Sequence, residues 1–442
     1  MNHRGSSVGL VLLGWAMTAA CNRHTPAAEF FRDGEFYWGV ATAAYQVEGA
    51  TAEGGRGASI WDTFSALQGK IHNGDTGAIA DDSFHKIAED VQLIKAMGLK
   101  SYRFSISWSR IMPTGQPPVN AAGVAHYRAL LDALQAADIV PLVTLYHWDL
   151  PQALEDLYGG WLSPQIEDDF VRYADTCFAA FGDRVKLWTT FNEPWTFCNF
   201  GYVTGTFAPG RCSDRTRCAA GNSSTEGYIA AHNVLNAHAA AVARYRTVYQ
   251  RANQGLIGMT LNQDWAAPLD PDNALDVQVA ERRREFLMGW FADPIVFGDY
   301  PRSMREYVGA RLPTFTAAQR VRLAGSLDYF ALNHYTTKYF TSVLTRSGES
   351  SGDGGGGWGD DQRTNESKVD RFGRLIGPQA ASPWLHVVPW GFYEALMWNT
   401  RRYRPAAILV TENGCDAPGE NDMPLDQVLD DQFRCAADLF LC

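Results

Sequence analysis

Short apolar segments alternate with helical segments along most of this 442-residue chain. Seven segments are rich in β-branched and aromatic residues and are predicted to be strands: Phe36–Ala43, Ser101–Ser107, Val140–Tyr146, Lys186–Phe191, Leu256–Leu261, Leu327–Leu332 and Ala407–Val410. Strands that are apolar on both faces and separated by helices predict a parallel sheet covered by helices. Seven of them, without a dinucleotide-binding glycine fingerprint, favour an α/β (β/α)₈ barrel over a doubly wound sheet.

The segments between these strands have the apolar periodicity of helices. Six are predicted: Ser83–Met97, Val124–Ala137, Pro164–Phe181, Thr225–Arg251, Asn273–Phe291 and Gly391–Tyr403. In the first of these, Ser83 is the predicted N-cap. A further helix is predicted over Asp426–Leu441, and the stretch Gly348–Gly359, with seven glycines in twelve residues, is predicted to be a flexible surface insertion.

Composition and the N-terminus limit the partners and the location. The chain has 38 Lys and Arg against 49 Asp and Glu, a net charge of −11, which argues against binding to nucleic acid. The apolar stretch from Val8 to Cys21 is too short for a comfortable membrane span, and small residues near its end predict a signal peptide over residues 1–21. An acylated Cys21 and an uncleaved anchor are the alternatives. No later segment is apolar enough to span a membrane, so we expect a secreted or vacuolar protein.

The cysteines and short motifs fit such a location. Cys212 and Cys218 lie six positions apart in a polar, Arg-rich loop, an easy distance for a small disulfide, whereas Cys177 is predicted to be a buried thiol. Asn222 and Asn365 begin glycosylation sequons. Because the chain has neither a CxxC pair nor an HExxH motif, no metal site and no cofactor are predicted.

Ionisable residues follow the predicted strands at the end where a barrel carries its active site. Glu193 and Glu412 come after two different strands. Two such carboxylates among Asn, His, Arg, Tyr and Trp suggest glycoside hydrolysis, which needs one protonated carboxyl to assist the leaving oxygen and one carboxylate to attack or stabilise the anomeric carbon. Arg103 would keep the second one charged. A single glutamate of this kind would as readily be a helix-terminal acid or an ion-pair partner.

Several longer stretches resemble the family 1 glycoside hydrolases, and most of all their plant-type members. They are WGVATAAYQVEG (Trp38–Gly49), SIWDTF (Ser59–Phe64), YRFSISWSRI (Tyr102–Ile111), LYHWDLPQAL (Leu145–Leu154), YGGW (Tyr158–Trp161), FGDRVKLWTTFNEP (Phe181–Pro194), AHNVLNAHA (Ala231–Ala239) and VTENG (Val410–Gly414). The resemblance implies one catalytic domain over residues 29–442 with a (β/α)₈ barrel. It also implies retaining hydrolysis of terminal β-glycosyl residues, with a small-molecule β-glycoside as the substrate and β-glucosidase as the activity.

The resemblance also implies a role for individual residues. Glu193 of TFNEP corresponds to the acid/base, and Glu412 of TENG corresponds to the nucleophile. Gln46, His147 and Asn192 would bind hydroxyls of the sugar that is cleaved off. For a retaining reaction the two carboxyl groups should lie about 5 Å apart.

Four further residues complete the predicted site. Tyr335 would donate a hydrogen bond to Glu412, with Arg103 beside it, and Asn333 would support them. Trp384 matches a position where the family stacks the leaving group. The Cys212–Cys218 loop also resembles that of plant-type members.

The family pattern extends further than this chain does. Only 30 residues follow Glu412, and the family's eighth strand, its closing helix and a WSLLDNFEW-like segment have no counterpart, so we expect a barrel that is incomplete at its C-terminus. Three interpretations stay open: a β-glycosidase whose sequence continues past Cys442, an inactive short isoform, or an extracellular glycan-binding protein without turnover. The intact pair of carboxylates favours the first over the third.

Overall fold

The computed structural model describes residues 36–343 and 356–434, and its centre is one parallel sheet. Ten strands are described: β1 (Gly39–Ala41), β2 (Ser101–Ser105), β3 (Val140–Tyr146), β4 (Leu187–Asn192), β5 (Leu256–Asn262), β6 (Trp265–Pro268), β7 (Phe330–Asn333), β8 (Thr337–Ser342), β9 (Thr364–Ser367) and β10 (Ile408–Glu412). Seven of them form a sheet in the order β1-β2-β3-β4-β5-β7-β10, with every neighbouring pair parallel. All seven predicted strands are confirmed.

Helices connect these strands as a parallel sheet requires. The helices labelled here are α1 (Ile87–Ala96), α2 (Ala121–Ala136), α3 (Ile166–Phe181), α4 (Glu226–Val248), α5 (Ala274–Arg284), α6 (Trp290–Phe297) and α7 (Pro389–Tyr403). The other α-helices are Ala44–Val47, Ile60–Ser65, Trp108–Ile111, Gln152–Tyr158, Pro194–Tyr202, Gln250–Asn253, Arg302–Val308, Ala317–Leu323, Trp358–Asp361 and Leu425–Leu429. A π-helical turn, Glu285–Gly289, joins α5 to α6, so the predicted Asn273–Phe291 helix is in fact three segments.

The inside of the sheet is filled at one end and open at the other. Apolar side chains from the beginnings of the strands form a small separate core there, which includes Leu142, Leu187, Leu256 and Leu409. The strands end instead in polar residues such as Asn192. The packed end therefore supports the sheet, and the polar end is free for chemistry.

A second sheet lies beyond the ends of β5 and β7. It has the order β6-β8-β9, with β6 parallel to β8 and β8 antiparallel to β9. The sequence analysis did not predict it, because its strands are short and mix polar with apolar residues. In this way the segments after β5 and β7 are held as a wall beside the polar end of the main sheet.

Three local predictions were wrong in part. Ser83 does not cap α1: the helix begins at Ile87, and the Ser83 backbone N–H donates to the Val47 carbonyl at 3.0 Å. The predicted C-terminal helix is interrupted: Leu425–Leu429 is helical, residues 432–434 are helical again, and residues 435–442 lie outside the described part. At the end of the glycine-rich stretch, Trp358 is buried in a short helix, whereas residues 348–355 lie outside the described part.

The remaining predictions on the chain's organisation have different outcomes. A disulfide joins Cys212 and Cys218, whose Cα atoms are 5.6 Å apart, and Cys177 is a buried free thiol, both as predicted. Among the described residues, β1 and β10 are the edges of the main sheet and no ladder joins them. In the same part of the chain, no helix combines the length and apolar character of a membrane span. The predicted signal peptide, residues 1–21, lies outside it.

Candidate active site

A cavity of about 1430 Å³ opens at the polar ends of the main strands. It is lined by all nine residues that the sequence analysis assigned to the site: Gln46, Arg103, His147, Asn192, Glu193, Asn333, Tyr335, Trp384 and Glu412. They come from seven different strand ends or connecting segments, so only the folded sheet brings them together. The cavity is large enough for a ligand well beyond one sugar ring.

Glu193 lies at a sharp turn between β4 and the next helix. Its backbone has φ 45° and ψ 62°, the left-handed region that non-glycine residues rarely adopt, and Pro194 begins the helix directly after it. Its N–H is held by the Thr260 carbonyl of β5 at 2.9 Å, beyond an irregularity in the β4–β5 ladder. Such strained turns occur at functional sites, and here the turn directs the carboxyl group into the cavity.

The carboxyl group of Glu193 is held by two donors. Its Oε1 accepts a hydrogen bond from Asn333 Nδ2 at 2.7 Å, and its Oε2 accepts one from Thr196 Oγ1 at 2.9 Å. Burial is the main reason that the pKa of Glu193 rises to about 8, and the negative charge of Glu412 adds to the rise. Glu193 is therefore a carboxyl group that keeps its proton at neutral pH.

Glu412, at the end of β10, has the opposite electrostatics. The ladder between β10 and β7 is irregular just before it, which turns its side chain toward the cavity. Burial by itself raises the pKa of Glu412, but the ion pair with Arg103 and the hydrogen bond from the Tyr335 hydroxyl, at 2.7 Å, outweigh burial and lower it. Glu412 is therefore ionised at neutral pH.

A short series of hydrogen bonds joins the two carboxyl groups. Arg103 donates one guanidinium nitrogen to Glu412 and another to Asn192 Oδ1. Asn333 Nδ2 lies 3.2 Å from the same Asn192 oxygen and 2.7 Å from Glu193. We call Arg103, Asn192, Glu193, Asn333 and Glu412 the carboxylate network. It fixes both carboxyl groups in place without a bound substrate.

His147 is a neutral imidazole at the edge of this network. Asn192 Oδ1 is occupied by its two donors, so its Nδ2 faces His147 and donates to Nε2 at 3.0 Å. The proton of His147 then lies on Nδ1, for which no partner is present among the described residues. Burial lowers the pKa of His147 to about 3. An uncharged ring with an unused donor suits a contact with a sugar hydroxyl.

Gln46 and Trp384 lie at the rim of the cavity. Gln46 belongs to the short helix after β1 and is exposed. The Trp384 ring is 47% exposed and packs edge-on against Tyr335, with ring centroids 6.0 Å apart. An exposed flat ring at the mouth of a polar cavity offers a stacking surface for a sugar or an aromatic group.

Four charged residues that the sequence analysis missed also line the cavity. Asp264 follows β5, Arg283 lies on α5, Lys338 on β8 and Glu366 on β9. We call these four residues the charged wall. Asp264 could have been found from its place three residues after a predicted strand, as the other candidates were. Arg283 could not, because it stands in a run of three arginines that reads as a solvated helix face.

Within the described residues, no group of three or more His, Cys, Asp or Glu side chains is arranged to hold a metal ion. What the cavity does offer is one protonated and one ionised carboxyl group. It also has hydrogen-bond donors around both of them and aromatic rings at its mouth. This is the arrangement that hydrolysis of a glycosidic bond requires.

Comparison with known proteins gives a consistent result. The family model "Glycosyl hydrolase family 1" matches residues 28–436. "Beta-glucosidase 12" of Oryza sativa subsp. japonica is 46% identical over 404 residues, which are 90% of this chain and 78% of the rice protein.

Two solved structures are similar over most of their length. The crystal structure of the rice β-glucosidase Os3BGlu6 has a TM-score of 0.88 at 45% identity and covers 91% of this chain and 84% of its own. A β-glucosidase from the fungus Humicola insolens, solved in complex with glucose, has a TM-score of 0.88 at 45% identity. The match covers 92% of this chain and 84% of the fungal chain. The chain therefore belongs to glycosyl hydrolase family 1, and it is a β-glycosidase.

Proposed function

We propose that this β-glycosidase acts with retention of configuration and that Glu412 is its nucleophile and Glu193 its acid/base. The observation that carries this proposal is the opposed protonation of two carboxyl groups in one cavity. Glu193 keeps its proton because it is buried, with the charge of Glu412 adding to this effect, and Glu412 is ionised because Arg103 pairs with it. These are the states in which each group can begin the reaction.

The reaction has two steps. In the first, a Glu412 oxygen attacks the anomeric carbon while Glu193 gives its proton to the glycosidic oxygen. The bond from the anomeric carbon to that oxygen breaks, and the sugar is left as an ester on Glu412. In the second, Glu193 takes a proton from water, the water oxygen attacks the same carbon, and Glu412 leaves as a carboxylate.

Neighbouring residues would assist both steps. Arg103 and Tyr335 each hold one oxygen of Glu412, so the attacking group keeps its orientation. Asn333 and Thr196 do the same for Glu193. Gln46, His147 and Asn192 line the same cavity, where they would bind hydroxyls of the sugar that becomes attached to Glu412.

Glucose is the sugar that we propose for this position. The support is the similarity to proteins named β-glucosidases, one of which was solved with glucose. We also propose that the protein enters the secretory pathway. The predicted signal peptide at residues 1–21 is one support, and the disulfide between Cys212 and Cys218 is another, since disulfides persist in oxidising compartments.

An assay with nitrophenyl β-glucoside, β-galactoside, β-fucoside and β-mannoside tests the proposal. We expect turnover to be fastest with the glucoside and to be lost in Glu412→Gln. A matched control is Glu306→Gln, because the Glu306 side chain is 52% exposed and, among the described residues, pairs only with the surface residue Arg302. A parent protein that folds and binds glycosides without turning any of them over would instead identify a glycan-binding protein.

A further inference from the structure

The residue directly before Glu412 is an extra residue in its strand. Across the β10–β7 ladder, Glu412 pairs with Asn333, but Val410, two positions earlier, pairs with Leu332, the neighbour of Asn333. β10 therefore has one more residue than β7 at this point, and that residue is Thr411. Adjacent residues of a regular strand point to opposite faces, whereas a bulge allows both to face one side. Thr411 and Glu412 both line the cavity.

The hydroxyl of Thr411 holds one end of the Asn333 amide. Thr411 Oγ1 donates to Asn333 Oδ1 at 2.7 Å, and only 8% of Thr411 is exposed. The other end of the same amide, Asn333 Nδ2, donates to Glu193 Oε1 at 2.7 Å and lies 3.2 Å from Asn192 Oδ1. Thr411 is therefore one side chain away from the carboxyl group of Glu193, although it follows a different strand.

The direction of these hydrogen bonds is fixed by Arg103. A guanidinium group only donates, so the Asn192 atom that faces Arg103 is its oxygen. The Asn333 atom next to that oxygen must then be the amino nitrogen, which leaves Asn333 Oδ1 for Thr411. Thr411 is therefore the donor in its bond to Asn333. Its hydroxyl and Asn192 Oδ1 together keep the amino end of the Asn333 amide toward Glu193.

The orientation of the Asn333 amide matters because Glu193 changes its charge twice in the proposed reaction. Glu193 loses its proton in the first step and takes one from water in the second. An amino group that faces Glu193 favours the carboxylate, whereas a carbonyl oxygen in the same place would favour the protonated form. In the structure, burial raises the pKa of Glu193, and the hydrogen bond from Asn333 opposes that rise, as does the one from Thr196.

The charged and titratable groups that interact with Glu193 come from three other strand ends. Among the described residues they are Arg103 on β2, Tyr335 after β7 and Glu412 on β10. Glu412 raises the pKa of Glu193, and Arg103 lowers it. Burial is the main reason that the pKa of Tyr335 is raised, so its hydroxyl stays neutral. Because Thr411 is uncharged, replacing it leaves all three of these groups in place.

We propose that Thr411 is a positioning residue, whose hydroxyl fixes the Asn333 amide so that Glu193 faces a hydrogen-bond donor in both steps. The inference rests on the proposed function, since it concerns the proton that Glu193 gives and takes in that reaction. Thr411 acts on Glu193 only through Asn333. The bulge in β10 then has two roles: it turns Glu412 toward the cavity, and it brings Thr411 against the amide.

The test is the pH–rate profile of Thr411→Val, which removes the hydroxyl and keeps the shape of the side chain. Without that donor, the Asn333 amide either becomes a weaker donor or turns its oxygen toward Glu193. Either change favours the protonated form of Glu193. We therefore expect the alkaline limb of kcat/KM for nitrophenyl β-glucoside to move upward by about half a pH unit or more, the size expected for weakening one neutral hydrogen bond. The acid limb, which belongs to Glu412, should stay in place.

Two further variants serve as controls. Thr411→Ser keeps the hydroxyl and should restore the alkaline limb of the parent protein. Thr247→Val removes an exposed hydroxyl that donates to the Ala243 carbonyl within α4, and it should leave both limbs unchanged. Melting temperatures show whether each variant is folded. If Thr411→Val does not fold, Thr411→Ala removes the same hydroxyl and decides the question by the same limb.

Each result has a distinct meaning. A parent protein that turns over no β-glycoside overturns the proposed function. A parent protein with turnover, whose alkaline limb stays at the same pH in Thr411→Val, overturns this inference alone, even if the rate of that variant falls. An equal shift in Thr411→Ser and Thr411→Val also overturns it, because the hydroxyl would then not be the cause. A shift in Thr411→Val that Thr411→Ser abolishes supports it.

Discussion

The carboxylate network and the charged wall line the same cavity but differ in how their polar groups are satisfied. In the network, Glu193 and Glu412 each accept two hydrogen bonds from neighbouring side chains. In the wall, Asp264 has no such partner among the described residues, and Arg283 has only a neutral one. A satisfied network fixes geometry before the substrate arrives, whereas unsatisfied groups gain their partners from the substrate. The network should therefore decide the rate of the chemistry, and the wall should decide which leaving group is used.

The largest effect should come from the network's nucleophile. Glu412→Gln keeps the shape of the side chain but removes the attacking charge, so we expect kcat to fall about 10⁴-fold or more on every substrate. Initial rates on nitrophenyl β-glucoside measure this loss. If the variant keeps more than a tenth of the parent activity, another group is the nucleophile.

The next effect separates the two roles within the network. Glu193→Gln removes proton donation, which typically contributes 10²- to 10⁴-fold. We expect the loss to be largest for a disaccharide, whose leaving oxygen needs the proton, and clearly smaller for the first step with a nitrophenyl leaving group. The rate of the pre-steady-state burst, measured with each of the two substrates, gives the loss in the first step. Equal losses would argue against Glu193 as the acid.

A third substitution tests how the network keeps Glu412 ionised. Without the Arg103 guanidinium, burial raises the pKa of Glu412 with little to oppose it. In Arg103→Met we expect the acid limb of the pH–rate profile to move upward, so that activity on the acid side of neutral falls more than activity on the alkaline side. Arg103→Lys retains the charge and serves as the control. An acid limb that does not move would contradict this role for Arg103.

The pH profile of the unmodified enzyme tests the other carboxyl group. Glu193 is active with its proton on, and its pKa is about 8, so kcat/KM should fall as the pH rises through that value. The loss should approach about tenfold for each further pH unit. In Glu193→Gln this alkaline limb should disappear. If the alkaline limb persists in Glu193→Gln, a group other than Glu193 is responsible for it.

The smallest effect is expected within the wall. Glu366 is already paired with Lys338 and is half exposed, so Glu366→Gln should change the ratio of kcat/KM for cellobiose to kcat/KM for nitrophenyl β-glucoside by less than about threefold. Asp264→Asn, which alters an unpaired carboxylate, should change it more. The same ratio of kcat/KM values is measured for both variants. A larger effect of Glu366→Gln would show that pairing does not decide the contribution of these residues.

The parts that could be predicted from sequence are those with a strong local pattern. The inner strands of the main sheet, β2 to β5 and β7, are largely buried on both faces, and their continuous apolar runs, such as Val140–Tyr146, are easy to recognise. Glu193 and Glu412 were found because parallel strands all end on one side of the sheet. Once two strand ends carry carboxylates, the fold itself brings the carboxylates together.

The parts that could not be predicted depend on contacts between distant segments. Strands β8 and β9 pair across the glycine-rich stretch, and nothing in their short sequences indicates a partner. Trp358 lies at the end of that stretch, yet it is buried because it packs on Arg283 and donates to the Phe286 carbonyl. Arg283 itself looks like a surface residue in sequence. Apart from Asp264, which follows a predicted strand, the charged wall is therefore a product of tertiary packing and could only be seen in the structure.

The stereochemistry of hydrolysis tests the central claim most directly. If Glu412 forms an ester with the sugar, two inversions at the anomeric carbon give retention, and the sugar is first released as its β-anomer. Proton NMR of a β-glucoside during its first minutes of hydrolysis distinguishes the anomers before they equilibrate. We predict that the β-anomer signal appears first and the α-anomer grows only later by mutarotation. Initial release of the α-anomer would contradict the account.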